Sequence, residues 1–258
     1  MAGESLFSAW MVLGLALRRT YDHLGMVVFT SIIWFVFSFG PAVYGFIAVW
    51  NAPVLPIIIL ACLIIIFISG PVLAGIYAGN LKLIKTGEAT IRDYWRGFRD
   101  NYKLTAATGA AMLFILLVLA VDMAWFIRHP GPFFRILSIP WGYLIGFWFL
   151  VAMYVFPFAI YKPAKWYKVL QRAVLLVLDN LVVTFIVAVA GGLAIYLSLL
   201  TRAPLVFFLA GFMTILHNTT FCQLMYKYED DGGHSLDGEE KEAGGTAGAA
   251  DSIDRKTT

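Results

Sequence analysis

Long apolar runs alternate along this chain with short segments rich in basic and aromatic residues. Six runs are long enough, or nearly so, to cross a hydrocarbon core of ~30 Å at a helical rise of ~1.5 Å per residue. They fall near residues 25–49, 54–79, 104–127, 139–161, 180–200 and 203–226. Only Thr201-Arg202-Ala203-Pro204 separates the last two, and a charge followed by a proline predicts a tight turn there rather than one very long helix. Ahead of the first run, Leu6, Trp10, Leu13 and Leu17 recur at helical spacing and Arg18-Arg19 follow. That pattern predicts an amphipathic helix on the membrane surface over residues 1–24, the alternative being an extension of the first crossing. The segment begins after Glu4 rather than after a positive cluster, which argues against a cleaved signal peptide.

The alternation has a period. Asp22-His23-Leu24, Asp100-Asn101-Tyr102 and Asp179-Asn180-Leu181 each close a basic, aromatic segment and open a long apolar stretch, at intervals of 78 and 79 residues. Each is followed by enough sequence for two crossings, so the expectation is an all-α polytopic membrane protein. Its six transmembrane helices over residues 25–228 form three hairpins, each preceded by a cytoplasmic amphipathic helix. Asp100 and Asp179 are placed to cap the crossings that follow them.

Composition agrees with a bilayer as solvent. At 60% hydrophobic and 14% charged, with mean hydropathy +0.80, the chain has too little polar surface for a water-soluble globule of 258 residues. Basic residues set the orientation. Arg18, Arg19, Lys82, Lys85, Arg92, Arg96, Arg99, Lys103, Lys162, Lys165, Lys168 and Arg172 fall on one side, and only Arg128, Arg135 and Arg202 on the other, which puts both termini in the cytoplasm. Cys62 and Cys222 both fall inside crossings, so no structural disulfide is indicated. Residues 229–258 contain no aromatic residue and nine acidic against three basic ones, the composition of a disordered acidic tail on the cytoplasmic side.

Two groups of residues are candidates for function. Arg92, Arg96, Arg99 and Lys103 repeat at helical spacing, and Ile91, Trp95, Phe98 and Tyr102 repeat it one residue earlier. A helix with a basic stripe beside an aromatic stripe can press its rings into the acyl boundary and hold cations against anionic headgroups or a docking partner. The simpler reading is a positive-inside anchor without a specific ligand. The second group is Tyr77, Asn80, His217 and Asn218, polar residues on the cytoplasmic side of the second and sixth crossings, with Thr214 on the same face of the last helix. Such residues either cement helix contacts or line a pocket for a small solute or headgroup. Asp122 lies too near the outer boundary to pair with His217. Gly75-x-x-x-Gly79 and Gly142-x-x-x-Gly146 would let helices approach closely, and Gly40-Pro41, Gly70-Pro71 and Phe156-Pro157 would bend or interrupt theirs. No hydrolase, phosphate-loop or zinc motif occurs, so neither an enzyme nor a cofactor, metal or nucleic-acid partner is expected.

The run Gly70-Pro71-Val72-Leu73-Ala74-Gly75-Ile76-Tyr77, then Gly87-Glu88, then Asp93-Tyr94-Trp95-Arg96-Gly97-Phe98-Arg99-Asp100-Asn101-Tyr102, resembles the signature of the YesL-like family of bacterial integral membrane proteins. That resemblance implies a bacterial cytoplasmic-membrane protein with an accessory role beside sugar-uptake systems, and it brings no catalytic residues with it. The function expected is therefore a non-enzymatic accessory or scaffold subunit linked to carbohydrate uptake, with membrane transport subunits and anionic headgroups as partners. The alternative is a small-solute transporter or channel with a polar cavity on its cytoplasmic side.

Overall fold

The computed structural model describes residues 2–39, 63, 65–129 and 131–230. The acidic tail beyond residue 230, the Gly40-Pro41 pair and Cys62 lie outside the described residues. Two compact units are distinguished, Met1–Thr220 and Phe221–Thr258, and what is described of the second is the end of the last helix.

Every described element is helical, and no strand occurs among the described residues. In chain order they are α1 (Ala2–Asp22), α2 (Leu24–Trp34) with a π-helical turn at Phe35–Phe39, a second π-helical turn at Ile65–Ser69 leading into α3 (Gly70–Thr86), α4 (Ile91–Arg128) and α5 (Pro132–Tyr161). There follow α6 (Trp166–Asp179), α7 (Leu181–Thr201), the short α8 (Ala203–Phe207) and α9 (Leu209–Asp230).

Four helices are long and apolar enough to cross a membrane, spanning Ile66–Thr86, Ile91–Arg128, Phe133–Tyr161 and Leu181–Thr201. A fifth is reached if Ala9–Asp22 and Leu24–Ser38, bent by 91° against each other, count as one broken span. Helices of this length and composition are compatible with a multi-pass membrane protein. Their outer surface agrees, since Phe114, Val118, Val121 and Trp125 line one face of α4 with 43–68% of their surface bare, a stripe that water would not tolerate. Only 6% of the most apolar stretch of α4 is buried, against 61% for the span that contains α3, so that stretch of α4 is bare while α3 is enclosed.

The sixth apolar run is α8 and α9, which is not among the helices apolar enough to cross. His217-Asn218-Thr219-Thr220 lowers its hydropathy. Burial explains why this polarity is tolerated: Ala210, Phe212, Thr214, Ile215, Leu216, Asn218, Thr219 and Thr220 are all buried, so this part of α9 is surrounded by protein rather than by apolar solvent.

The repeated Asp-polar pairs mark real junctions in two of three copies. His23 joins α1 to α2 at φ −124°, ψ 34°, and Asn180 joins α6 to α7 at φ −124°, ψ 41°, nearly the same backbone break. The middle copy is different. Asn101 sits inside an unbroken 38-residue α4 and returns its amide to the carbonyl of Gly97 at 3.0 Å. Asp100 is therefore mid-helix and caps nothing, contrary to expectation, and no separate amphipathic helix precedes this crossing. The cause is local: the start of the helix is fixed ten residues earlier, where Thr90 and Asp93 form a reciprocal capping box, and no proline interrupts the run to Arg128. For the third copy, Asp179 is the last residue of α6 and α7 starts from Asn180.

Asp93 also reaches Lys82 of α3 at 2.9 Å, and the carboxylate is only 13% exposed. The Lys82 ammonium, and then the backbone and hydroxyl of Thr90, hold its carboxyl well below the usual carboxylate range. A group depressed in the folded state stabilises fully above its ordinary pKa of about 4 and less as pH falls toward the depressed value. Asp93→Asn is therefore expected to lower thermal stability at neutral pH, with the gap to the parent narrowing below about pH 4. A gap that widens on acidification would refute this linkage.

The turn between α7 and α8 is tight, as its Arg-Ala-Pro sequence predicts, and Arg202 occupies φ 60°, ψ −45° there. That is the one positive φ at a non-glycine among the described residues, and a Cβ is unfavourable at it. Arg202→Gly is expected to raise stability by about 0.5 kcal/mol in detergent melting curves. α5 runs uninterrupted through Pro140 and Pro157, whereas Pro71 does mark a change, from the π turn to α3.

Candidate functional site

The polar residues of α3, α4 and α9 converge because glycine lets the helices meet. A Cβ on Gly75 would stand 2.9 Å from the carbonyl oxygen of Tyr94, and one on Gly79 would overlap the Tyr94 ring. The Gly75/Gly79 pair is thus a packing face, as its spacing predicts. Gly142 and Gly146 of α5 are not, since a Cβ at either meets nothing within 4 Å.

Across this contact the Tyr94 hydroxyl donates to Asn80 Oδ1 at 2.8 Å, and Asn80 Nδ2 donates to Thr214 Oγ1 at 2.6 Å. Thr214 passes its own proton to the carbonyl of Ala210 or Gly211, both at 2.9 Å. One turn further along α9, Asn218 Nδ2 donates to the carbonyl of Tyr77 at 2.9 Å, and the Tyr77 hydroxyl and His217 Nδ1 lie 2.7 Å apart. The Tyr77 ring stacks on Phe156 of α5 at 5.8 Å and on the imidazole of His217 at 6.2 Å. Residues 77 and 80 share a face of α3, and 214, 217 and 218 share a face of α9, so two helix faces supply most of the ladder.

All four residues of the sequence-level cluster, Tyr77, Asn80, His217 and Asn218, are brought together. Asn80 and Asn218 are almost wholly buried, and His217 is half-buried. Tyr94 is the member that sequence reasoning missed. It lies between Asp93 and Trp95 in a segment read as an outward basic-aromatic face, and only its position opposite Gly79 places it inside. One atom of this cluster is left over: Asn218 Oδ1 is buried and has no hydrogen-bond partner among the described residues. Among the described residues no three His, Cys, Asp or Glu side chains gather as metal ligands would.

The second group occupies the first turns of α4. Arg92, Arg96, Arg99 and Lys103 are exposed, and Trp95 is 65% exposed. The aromatic stripe divides. Ile91 and Trp95 point out, while Phe98 and Tyr102 are half-buried, with Phe98 stacked on Trp95 at 5.3 Å and edge-on to Tyr102 at 5.7 Å. Tyr102 has a structural task as well: its hydroxyl donates to the carbonyl of Phe67 at 3.1 Å. Pro71 has no N–H to offer that carbonyl in helical register, so Tyr102 satisfies a group that the Gly-Pro motif leaves open. Phe98, Arg99, Asp100, Tyr102 and Lys103 line an open depression on this side of α4.

No family model, curated protein or solved structure matches the chain.

Proposed function

We propose that the chain is a non-enzymatic accessory or scaffold subunit of the bacterial cytoplasmic membrane, serving solute uptake beside membrane transport subunits. In this reading it crosses the membrane six times as three hairpins, with both termini and the start of α4 in the cytoplasm. The resemblance of residues 70–103 to the YesL-like signature and the distribution of basic residues support that placement. The observation that carries the role is how the buried polar residues are spent. Asn80, Tyr94, Thr214, Tyr77 and His217 are engaged with one another, the pattern of groups that hold helices together rather than of groups kept open for cargo. Arg92, Trp95 and Arg96, exposed at the start of α4, are free of that ladder and are the side chains we assign to meeting a partner.

The test is affinity purification of the whole protein from its native membrane, as parent and as Arg92→Glu/Arg96→Glu. Transport subunits are expected with the parent and at least severalfold less with the variant. Recovery of the protein alone, at a defined oligomeric size, would overturn the accessory role. It would also favour the second reading, a small-solute transporter, which the unpartnered Asn218 Oδ1 and the half-buried His217 support.

A further inference from the structure

The length of α4 divides its basic stripe in two. The helix runs unbroken for 38 residues, or ~57 Å at ~1.5 Å per residue, nearly twice the ~30 Å that a hydrocarbon core needs. With the apolar run starting at Leu104, Lys103 stands at the core boundary and Arg99 ~6 Å outside it, within a headgroup layer of ~5–8 Å. Arg96 and Arg92 stand ~10 and ~16 Å out along the helix axis, beyond that layer.

We infer that Arg99 and Lys103 bind the phosphodiester of one mono-anionic phospholipid, whose acyl chain follows the bare apolar face of α4. Three observations converge on this occupant, which rests on the membrane placement proposed above. First, Arg99 and Lys103 border an open depression whose other walls are Phe98, Tyr102 and Asp100, so two cations and one carboxylate face it, a net charge of +1 that complements a singly charged phosphodiester. Second, stepping down the same face from Lys103 by three or four residues leads to Phe114, Val118, Val121 and Trp125, with 68%, 43%, 65% and 50% of their surface bare. A headgroup at Lys103 therefore has an unpartnered hydrocarbon surface directly beneath it. Third, the Tyr102 hydroxyl is tied to the Phe67 carbonyl, which fixes the ring as one wall of the depression.

The experiment is native mass spectrometry of the full-length protein in detergent, titrated with phosphatidylglycerol or phosphatidylcholine of the same acyl chains. The parent is expected to prefer phosphatidylglycerol about tenfold. Arg99→Gln/Lys103→Gln removes the preference, whereas Arg92→Gln/Arg96→Gln leaves it within about twofold. Melting curves of the three proteins confirm that each is folded. Equal loss in both double variants would mean diffuse attraction to a basic segment and would overturn the site, as would a preference untouched by Arg99→Gln/Lys103→Gln. The accessory role can fail without this result changing, because partner recovery is read at Arg92 and Arg96 and lipid retention at Arg99 and Lys103.

Discussion

Leucine in place of Gly79 is expected to cost about 3 kcal/mol or more, enough to leave little folded protein in a detergent melting experiment. A Cβ at this position already overlaps Cγ, Cδ1 and Cε1 of Tyr94, atoms that include the base of the ring and not a tip that could swing aside. The ring is also held. Its hydroxyl is bonded to Asn80, and Phe29 packs against it edge-on at 6.5 Å between centroids. Relief would require α3 and α4 to separate, which would also open the close approaches at Gly75 and Gly97. Gly109 of α4 is the control, because a Cβ there meets nothing within 4 Å. Gly109→Ala should be neutral, or stabilising by up to about 1 kcal/mol through the usual advantage of alanine in a helix. Similar melting behaviour for Gly79→Leu and Gly109→Ala would show that α3 and α4 do not meet as described.

The second large effect is at Asn80. Leucine has the same number of side-chain heavy atoms and the same branching but neither accepts from Tyr94 nor donates to Thr214, and Tyr94 is 6% exposed, so its hydroxyl would be stranded. A stranded buried donor costs about 1–3 kcal/mol, more than the mean worth of an interhelical bond in a membrane, about 0.6 kcal/mol. The sign of the coupling is the sharper expectation: Asn80→Leu/Tyr94→Phe should be more stable than Asn80→Leu alone, because the second change removes the orphaned hydroxyl. Thr214 is little affected, since it still donates to the carbonyls of its own helix. If the double variant is the less stable of the two, Tyr94 contributes something other than this bond.

How much could be read in advance differs by scale. Apolar runs revealed helices suited to a membrane, because a run of twenty apolar residues needs no tertiary context to be recognised, and every described element is helical. Helix boundaries were less legible. The Asp-polar pairs at 22–23 and 179–180 sit at backbone breaks, yet the same pair at 100–101 lies in mid-helix, since the capping box at Thr90 and Asp93 outweighs a signal that two other copies obey. The last apolar run was read as a crossing from its apolar residues, and the polar middle that sets it apart from the other runs is enclosed by protein. For the candidate site, residues 77, 80, 217 and 218 stood out because polar side chains are costly among apolar neighbours. Tyr94 did not, because an aromatic beside arginines is ordinary at a membrane surface and its inward direction depends on Gly79, fifteen residues earlier. The two GxxxG patterns are alike in sequence and only one is filled, a difference decided by which helix lies opposite.

The most direct test of whether the polar ladder is structural and the start of α4 is the working surface is cysteine labelling. Single cysteines at positions 80, 92, 96 and 218, in a chain with Cys62 and Cys222 replaced by alanine, would be exposed to a membrane-impermeant maleimide in intact and in inside-out membranes. The account predicts that positions 92 and 96 react fully in inside-out membranes alone, and that 80 and 218 stay protected in both. Rapid labelling at 80 and 218 from either side would contradict it, since it would mean a water-filled path through the ladder and a transporter in place of a scaffold.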